Sequence, residues 1–220
     1  MNETLAVHSL ADALTDSLRD LIMTNGLPGG TIVTENWVAE RYDVARPTAK
    51  AAIERLVSAG LLTRGPHKSA RIPILTAESI HDIYMCRGCI ESVSAVRLAA
   101  ASKVPPGAIE QIHRLRESGS TGSVVQMVES DIRFHRELVD GVGSHRLSRM
   151  HAMLMGEMQL CMAQVQANRL MRLSEIVEDH ESIITLIEQG DAIGASAAVA
   201  AHLDSACTAL MHHFDPASSQ

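Results

Sequence analysis

Asp131, His135, His180 and His202 are the residues whose types and spacing carry the most chemistry in this chain of 220 residues. One carboxylate and three imidazoles form a donor set for a divalent first-row metal. Asp131 and His135 lie four apart in the helical stretch SDIRFHREL, so both project from one helix face. His180 and His202 follow on two later helical stretches, twenty-two residues apart. Each of the eleven histidines, taken singly, reads as a core or solvated residue; the grouping is what makes a cage from three helices. Such a set does not choose sharply among metals: zinc comes first, with nickel, manganese or iron as alternatives. Four protein ligands would leave an octahedral ion two open positions for water or a ligand carboxylate.

The elements that must hold these residues are helices. Hydrophobic residues make up 46% of the chain and aromatic residues only 2%. That balance favours helical bundles over sheets, which prefer aromatic and β-branched side chains. Thr76 with Ser79 caps a long helix that reaches Ala101, and Pro105-Pro106-Gly107 breaks it. Further helical stretches follow at 106–117, 123–141, 145–168, 173–189 and 191–213. Turns at Ser118-Gly119-Ser120, Gly141-Val142-Gly143 and Gly190-Asp191 separate them. No strand pattern follows residue 75, and no repeat or low-complexity segment stands out. The methionines at 150, 153, 155, 158 and 162 read as adaptable core packing.

The first third of the chain is different. The formal net charge is -7, yet residues 41–71 hold seven basic side chains against two acidic ones. A local basic patch on an acidic protein suits contact with phosphates. Leu10, Leu14, Leu18, Leu21 and Ile22 fall at helical spacing, and Asn25-Gly26 with Pro28-Gly29-Gly30 ends that helix. Thr34 caps a second short helix, with Trp37 and Val38 inward. A third begins at Arg46-Pro47, where proline suits a first turn, and ends at Gly60. Leu61–Arg64 and Ala70–Ile74 then read as a β-hairpin around the loop Gly65-Pro66-His67-Lys68-Ser69. Three helices and a basic-tipped hairpin make a winged helix-turn-helix.

In that motif the N-terminal residues of the second helix of the pair meet base edges in the major groove. Those residues are Arg46, Thr48 and Lys50. Arg46 can fork onto guanine O6 and N7. Lys50 has reach without a fork. Lys68 and Arg71 on the wing suit phosphate or the minor groove. Arg55, deeper in the helix, either joins them or pairs with Glu54 or its neighbours.

Residues 8–75 resemble the GntR family of bacterial regulators. The likeness rests on Pro28-Gly29, Glu35, Val38-Ala39, Val44-Ala45-Arg46-Pro47-Thr48-Ala49-Lys50, Leu56 and Gly60-Leu61. Ala45 stands where the family usually has serine, Lys50 where arginine is common and Ala51 where glutamate is common. The wing is also not the usual glycine-rich form. Residues 76–213 look like the FCD ligand-binding domain of FadR-type regulators. That domain's Asp-x3-His and two later histidines are matched by Asp131, His135, His180 and His202. Phe134, Leu138, Glu178-Asp179, Tyr84, Arg87, Glu91 and Leu98-Ala99-Ala100 also agree, whereas Ser144 replaces a frequent asparagine.

The resemblance implies an all-α antiparallel bundle of six helices, as in the VanR-type subgroup. It also implies a metal beside a cavity for a small organic acid. It supports Arg87 as a clamp for an effector carboxylate; the alternative is a structural bridge from Arg87 to Glu91, since a buried arginine needs an anionic partner.

The expected architecture is therefore mainly α. Residues 1–75 form the winged helix-turn-helix (three helices plus a β-hairpin wing), 76–215 the all-helical metal- and effector-binding domain, and 216–220 a tail. The expected function is a dimeric regulator, a repressor by the family's commoner mode, acting on double-stranded operator DNA under control of a small carboxylate. Two alternatives are a metalloenzyme using the Asp/His₃ site, and a regulator with a purely structural metal. The N-terminus has acids where a signal peptide needs positive charge, and no apolar run reaches bilayer length, so a cytoplasmic protein without membrane contact is expected. The four cysteines are too scattered for a disulfide framework; Cys86 and Cys89, a lone CxxC within a helix, read with the others as buried or half-buried thiols.

Overall fold

The computed structural model describes residues 9–24, 26–66, 68–121, 123–164 and 173–214. Asn25, His67, residues 165–168 of the seventh expected helix and the tail 216–220 lie outside them. The chain divides into two compact units, 1–74 and 75–220.

In the first unit, α1 (Leu10–Met23) starts with a capping box between Ser9 and Asp12. The Thr34 side chain accepts the Trp37 amide and opens α2 (Glu35–Tyr42). Asp43 closes it in the left-handed region, at φ 50°. α3 (Arg46–Ser58) has proline in its first turn and no side-chain cap, because Ala45 holds the cap position. Leu14, Leu18, Ile22, Val38, Ala52, Ile53 and Leu56 bury together where α1 and α2 pack on α3.

The hairpin expectation is corrected in detail. The regular ladder joins β1 (Ile32–Val33) to β2 (Ala70–Arg71), antiparallel, with Ile32 opposite Arg71 and Val33 opposite Ala70. Leu61–Arg64 contributes a single bridge, Thr63 to Arg71. The segment just after Gly30 therefore competes successfully for the wing strand. The alternation that pins it is short: Val33 is buried and Ile32 exposed.

The second unit has six helices among the described residues: α4 (Ala77–Ala100), α5 (Pro106–Thr121), α6 (Val124–Gly141), α7 (His145–Gln164), α8 (Leu173–Glu188) and α9 (Ala192–Phe214). Thr76 caps α4 through the Ser79 amide, as its sequence implies. α4 packs against α6, α7, α8 and α9, which makes it the axis of the bundle. The expected turn at Ser118-Gly119-Ser120 is absent; α5 continues through it, and the Ser118 hydroxyl bonds back to the Leu115 carbonyl. Ala192–Met211 is long and apolar enough by composition to cross a bilayer. It instead buries Ala195, Val199, Leu203 and Leu210 within the bundle. Of the methionines, Met155 and Met158 are core, while Met150 and Met153 are exposed. Cys161 is buried, but Cys86 and Cys89 are exposed on α4, against expectation.

Candidate functional site

α6 presents Asp131 and His135 between buried Phe134 and Leu138. α8 presents His180 among buried Val177, Ile183 and Ile184. α9 presents His202 beside buried Val199 and Leu203. Apolar neighbours lock each helix face, and the ligating atoms of all four residues lie within 4.8 Å of one another. His135 Nε2 is 3.3 Å from His202 Nε2. Asp131 Oδ1 is 3.4 Å from His180 Nε2 and 3.9 Å from His135 Nε2. Corners of a tetrahedron with metal–nitrogen bonds of about 2.0–2.1 Å are about 3.3 Å apart, so the spacing is right for an ion.

The surrounding groups favour the same reading. His135 Nδ1 faces Glu91 Oε2 at 2.6 Å, and His202 Nδ1 meets Asp179 Oδ2 at 3.0 Å. A carboxylate at Nδ1 keeps the proton there and leaves Nε2 as a lone pair. In that tautomer the two Nε2 lone pairs, 3.3 Å apart, face each other and suit a cation between them. His180 is buried and stacks on Phe134 at 3.7 Å, yet neither of its ring nitrogens has a hydrogen-bond partner. Leaving a buried polar group unpaired costs about 1–3 kcal/mol. The donor set thus fits a divalent metal.

Burial favours the neutral form of two of the four residues. Burial, reinforced by His135 and His202, holds His180 well below its ordinary 6.5. Burial lowers His135 as well, against the pull of Glu91. Burial would raise the Glu91 carboxyl, but Arg87 and His135 outweigh it and hold it well below the ordinary range. Metal binding requires neutral imidazoles, so the site is poised for it.

Glu91 links the site to Arg87. Its Oε1 accepts from Arg87 Nε at 2.8 Å and lies 2.9 Å from His151 Nε2, all within the core. The bridge weighed for Arg87 is therefore present. Arg87 nevertheless also borders a cavity of about 560 Å³, together with Tyr84, Asp131, His135, Asp179 and His202. The guanidinium sits 5.0 Å from the Tyr84 ring centroid. The sequence marks Glu91 as a helical partner of Arg87 and as a point of family likeness, but not as a neighbour of His135 or His151. Their meeting depends on α4, α6 and α7 crossing, which has no local signal.

In the first unit, Arg46, Thr48 and Lys50 lie along the first turns of α3; Arg46 and Lys50 are exposed. Arg46 borders a groove with Lys68, Arg64 and the α2 start at Thr34, Glu35 and Asn36. Arg46 is 3.6 Å from Glu35, and Lys50 is 3.8 Å from Glu54. Both pairs are surface contacts that water and salt weaken. Arg71 is exposed on β2, outside that groove. Arg55 pairs with Asp12 on α1 rather than with Glu54. Arg64 was overlooked; its Nε is buried without a hydrogen-bond partner beside the groove.

A helix-turn-helix with a wing, followed by a helical bundle around a ligand-sized cavity, defines a ligand-responsive DNA-binding regulator. Residues 10–72 match the model of bacterial regulatory proteins of the gntR family, and residues 82–205 match the FCD domain. The chain belongs to the GntR family of transcriptional regulators, in the branch that carries an FCD effector-binding domain.

The chain is similar to the putative L-lactate dehydrogenase operon regulatory protein of Escherichia coli (strain K12), 28% identical over 94% of this chain and 88% of that one. The like-named protein of Shigella flexneri matches equally. The crystal structure of a putative GntR transcriptional regulator from Rhodococcus sp. RHA1 has the same fold, with a TM-score of 0.75 at 19% identity, covering 91% of this chain and 96% of that one. So does E. coli McbR/YncC, at 0.73 and 18%, covering 94% and 99%. The gntR and FCD matches place the chain among transcriptional regulators, and the metalloenzyme alternative is set aside on that ground.

Proposed function

We propose that the protein is a cytoplasmic, homodimeric repressor whose operator affinity is set by a small carboxylate bound beside a divalent metal. The observation that carries this reading is the convergence of Asp131, His135, His180 and His202, of which Asp131, His135 and His202 line the 560 Å³ cavity. Zinc is the first candidate, with nickel, manganese or iron next. Bound there, the ion would supply positive charge and open positions for an acid's oxygens. Glu91 and Asp179 orient His135 and His202 toward it. Arg87 lends Nε to Glu91, so its two terminal nitrogens remain to receive the ligand's carboxylate. Tyr84 lines the cavity beside Arg87. The operon named for the E. coli relative makes short hydroxy acids the first ligands to try.

Arg46, Thr48 and Lys50 read bases, and Lys68, Arg71 and Arg64 hold the phosphates. An acid that binds one dimer arrangement better than another shifts the spacing of the two α3 helices and so changes operator affinity. The test is metal content by elemental analysis together with operator binding with and without candidate acids. About one ion per chain and release from DNA by a specific acid support the reading. Absence of metal after reconstitution sinks it.

A further inference from the structure

The cavity beside the candidate metal site is charged unevenly. Among its described lining residues Arg87 is the one lysine or arginine, while Asp131, Glu175, Asp179 and Asp204 are all carboxylates. Arg87 is buried, and only its Nε is engaged, by Glu91. Two of the four carboxylates serve the candidate ion. Asp131 belongs to the donor set, and Asp179 holds His202 Nδ1 at 3.0 Å. Glu175 on α8 and Asp204 on α9 stand outside the donor set. Both are exposed, and Asp204 forms no ion pair among the described residues. Met162, Ile176 and Leu210 give the same cavity apolar walls. Its volume of about 560 Å³ lies in the range of roughly 300–1,000 Å³ that holds drug-sized ligands, so a three-carbon acid on the ion leaves much of it open.

We propose that the effector is a zwitterion: a carboxylate that binds at the ion and Arg87, an apolar body, and an ammonium group that meets Asp204 and Glu175. This rests on the metal-and-carboxylate reading above and gives the ligand a second, cationic end. The charge of the cavity is divided between helices, with the cation on α4 and the spare carboxylates on α8 and α9. A ligand with one anionic and one cationic end is complementary to both. A plain acid meets Glu175 and Asp204 as like charges, and a diacid does so with both of its ends; such juxtapositions reject the wrong ligand. Because the two carboxylates are exposed, each is worth a modest factor of about two to five in affinity, and salt weakens it. Together they give the ammonium-bearing ligand about a tenfold advantage.

The test is calorimetric titration of the full-length, metal-loaded protein with acids matched in chain length. One series runs from propionate to caproate, a second from β-alanine to ε-aminocaproate, and a third from malonate to adipate. The best amino acid is expected to bind about tenfold tighter than its plain partner, with the diacid weakest, and the preference is expected to shrink in high salt. Asp204→Lys, at an exposed position, is expected to keep its metal and to reverse the order, so that the diacid binds tighter than the amino acid. If no amino acid gains over its plain partner, or if Asp204→Lys keeps the parent's order, the cationic end is overturned. Plain or hydroxy acids that still bind the loaded protein in that case leave the metal-and-carboxylate reading intact. Absence of binding by every acid, hydroxy acids included, overturns both.

Discussion

Glu91 Oε2 lies 2.6 Å from His135 Nδ1, although the two residues belong to different helices and are both buried. The same carboxylate holds Arg87 through its other oxygen. One acid thus touches a candidate metal ligand and a candidate effector clamp. This is a physical route by which a bound ion and a bound effector would sense each other under the proposed function.

Removing that charge tests the link. Glu91→Gln keeps the shape but frees the His135 tautomer and leaves Arg87 without a counter-ion. Loss of a partner that orients a ligating histidine typically weakens metal affinity about 10–100-fold. Competition with a chromogenic chelator reads this directly. An affinity equal to that of the parent protein contradicts the orienting role.

Neither ring nitrogen of His180 makes a hydrogen bond, and its nearest charged neighbour is Asp131 at 3.4 Å, an arrangement that an ion between them would satisfy. His180→Ala is expected to abolish the rise in melting temperature caused by metal. The ion-free protein should lose only the packing against Phe134. A variant that keeps the full metal-dependent rise removes His180 from the site.

Acid should weaken the ion-free fold. His180 and His135 are held below the ordinary 6.5, so the unfolded chain takes up protons first as pH falls past that value. Their contribution is complete above 6.5 and is lost as the pH drops toward their folded values. The melting temperature of the metal-stripped protein should therefore fall between about pH 7.5 and pH 5.5, and less steeply in His180→Asn. Equal slopes in the two proteins would assign the pH dependence to other groups.

On DNA, Arg46→Ala is expected to cost about 1–3 kcal/mol on a selected operator and to relax base preference. Lys68→Ala should weaken all duplexes alike and lower the salt slope by about one. Fluorescence anisotropy over a salt series separates the two. A purely salt-dependent loss for Arg46→Ala would make it a phosphate contact.

Much of this was legible in the residues, for reasons of period and punctuation. The α4 cap at Thr76, the left-handed Gly190 and the i, i+4 pair on α6 are local signals that survive folding. What escaped is non-local. β1 is two residues long and gains its identity only from Ala70–Arg71, some forty positions away. α5 runs through Ser118-Gly119-Ser120 because packing against α6 and α8 overrides weak helix propensity. Glu91 looked like an ordinary helical ion-pair partner until His135 and His151 arrived from other helices. Cys86 and Cys89 looked buried because free cysteines usually are, and their helix alone does not say which of its faces packs inward.

The most direct test of the central claim is calorimetric titration of small organic acids into metal-loaded protein, metal-stripped protein and His180→Ala. The account predicts saturable binding of a specific acid to the loaded protein, with loss in the other two. Equal binding to stripped protein, or no binding by any acid despite a full complement of metal, would contradict it; the second result would leave the ion a structural part of the bundle.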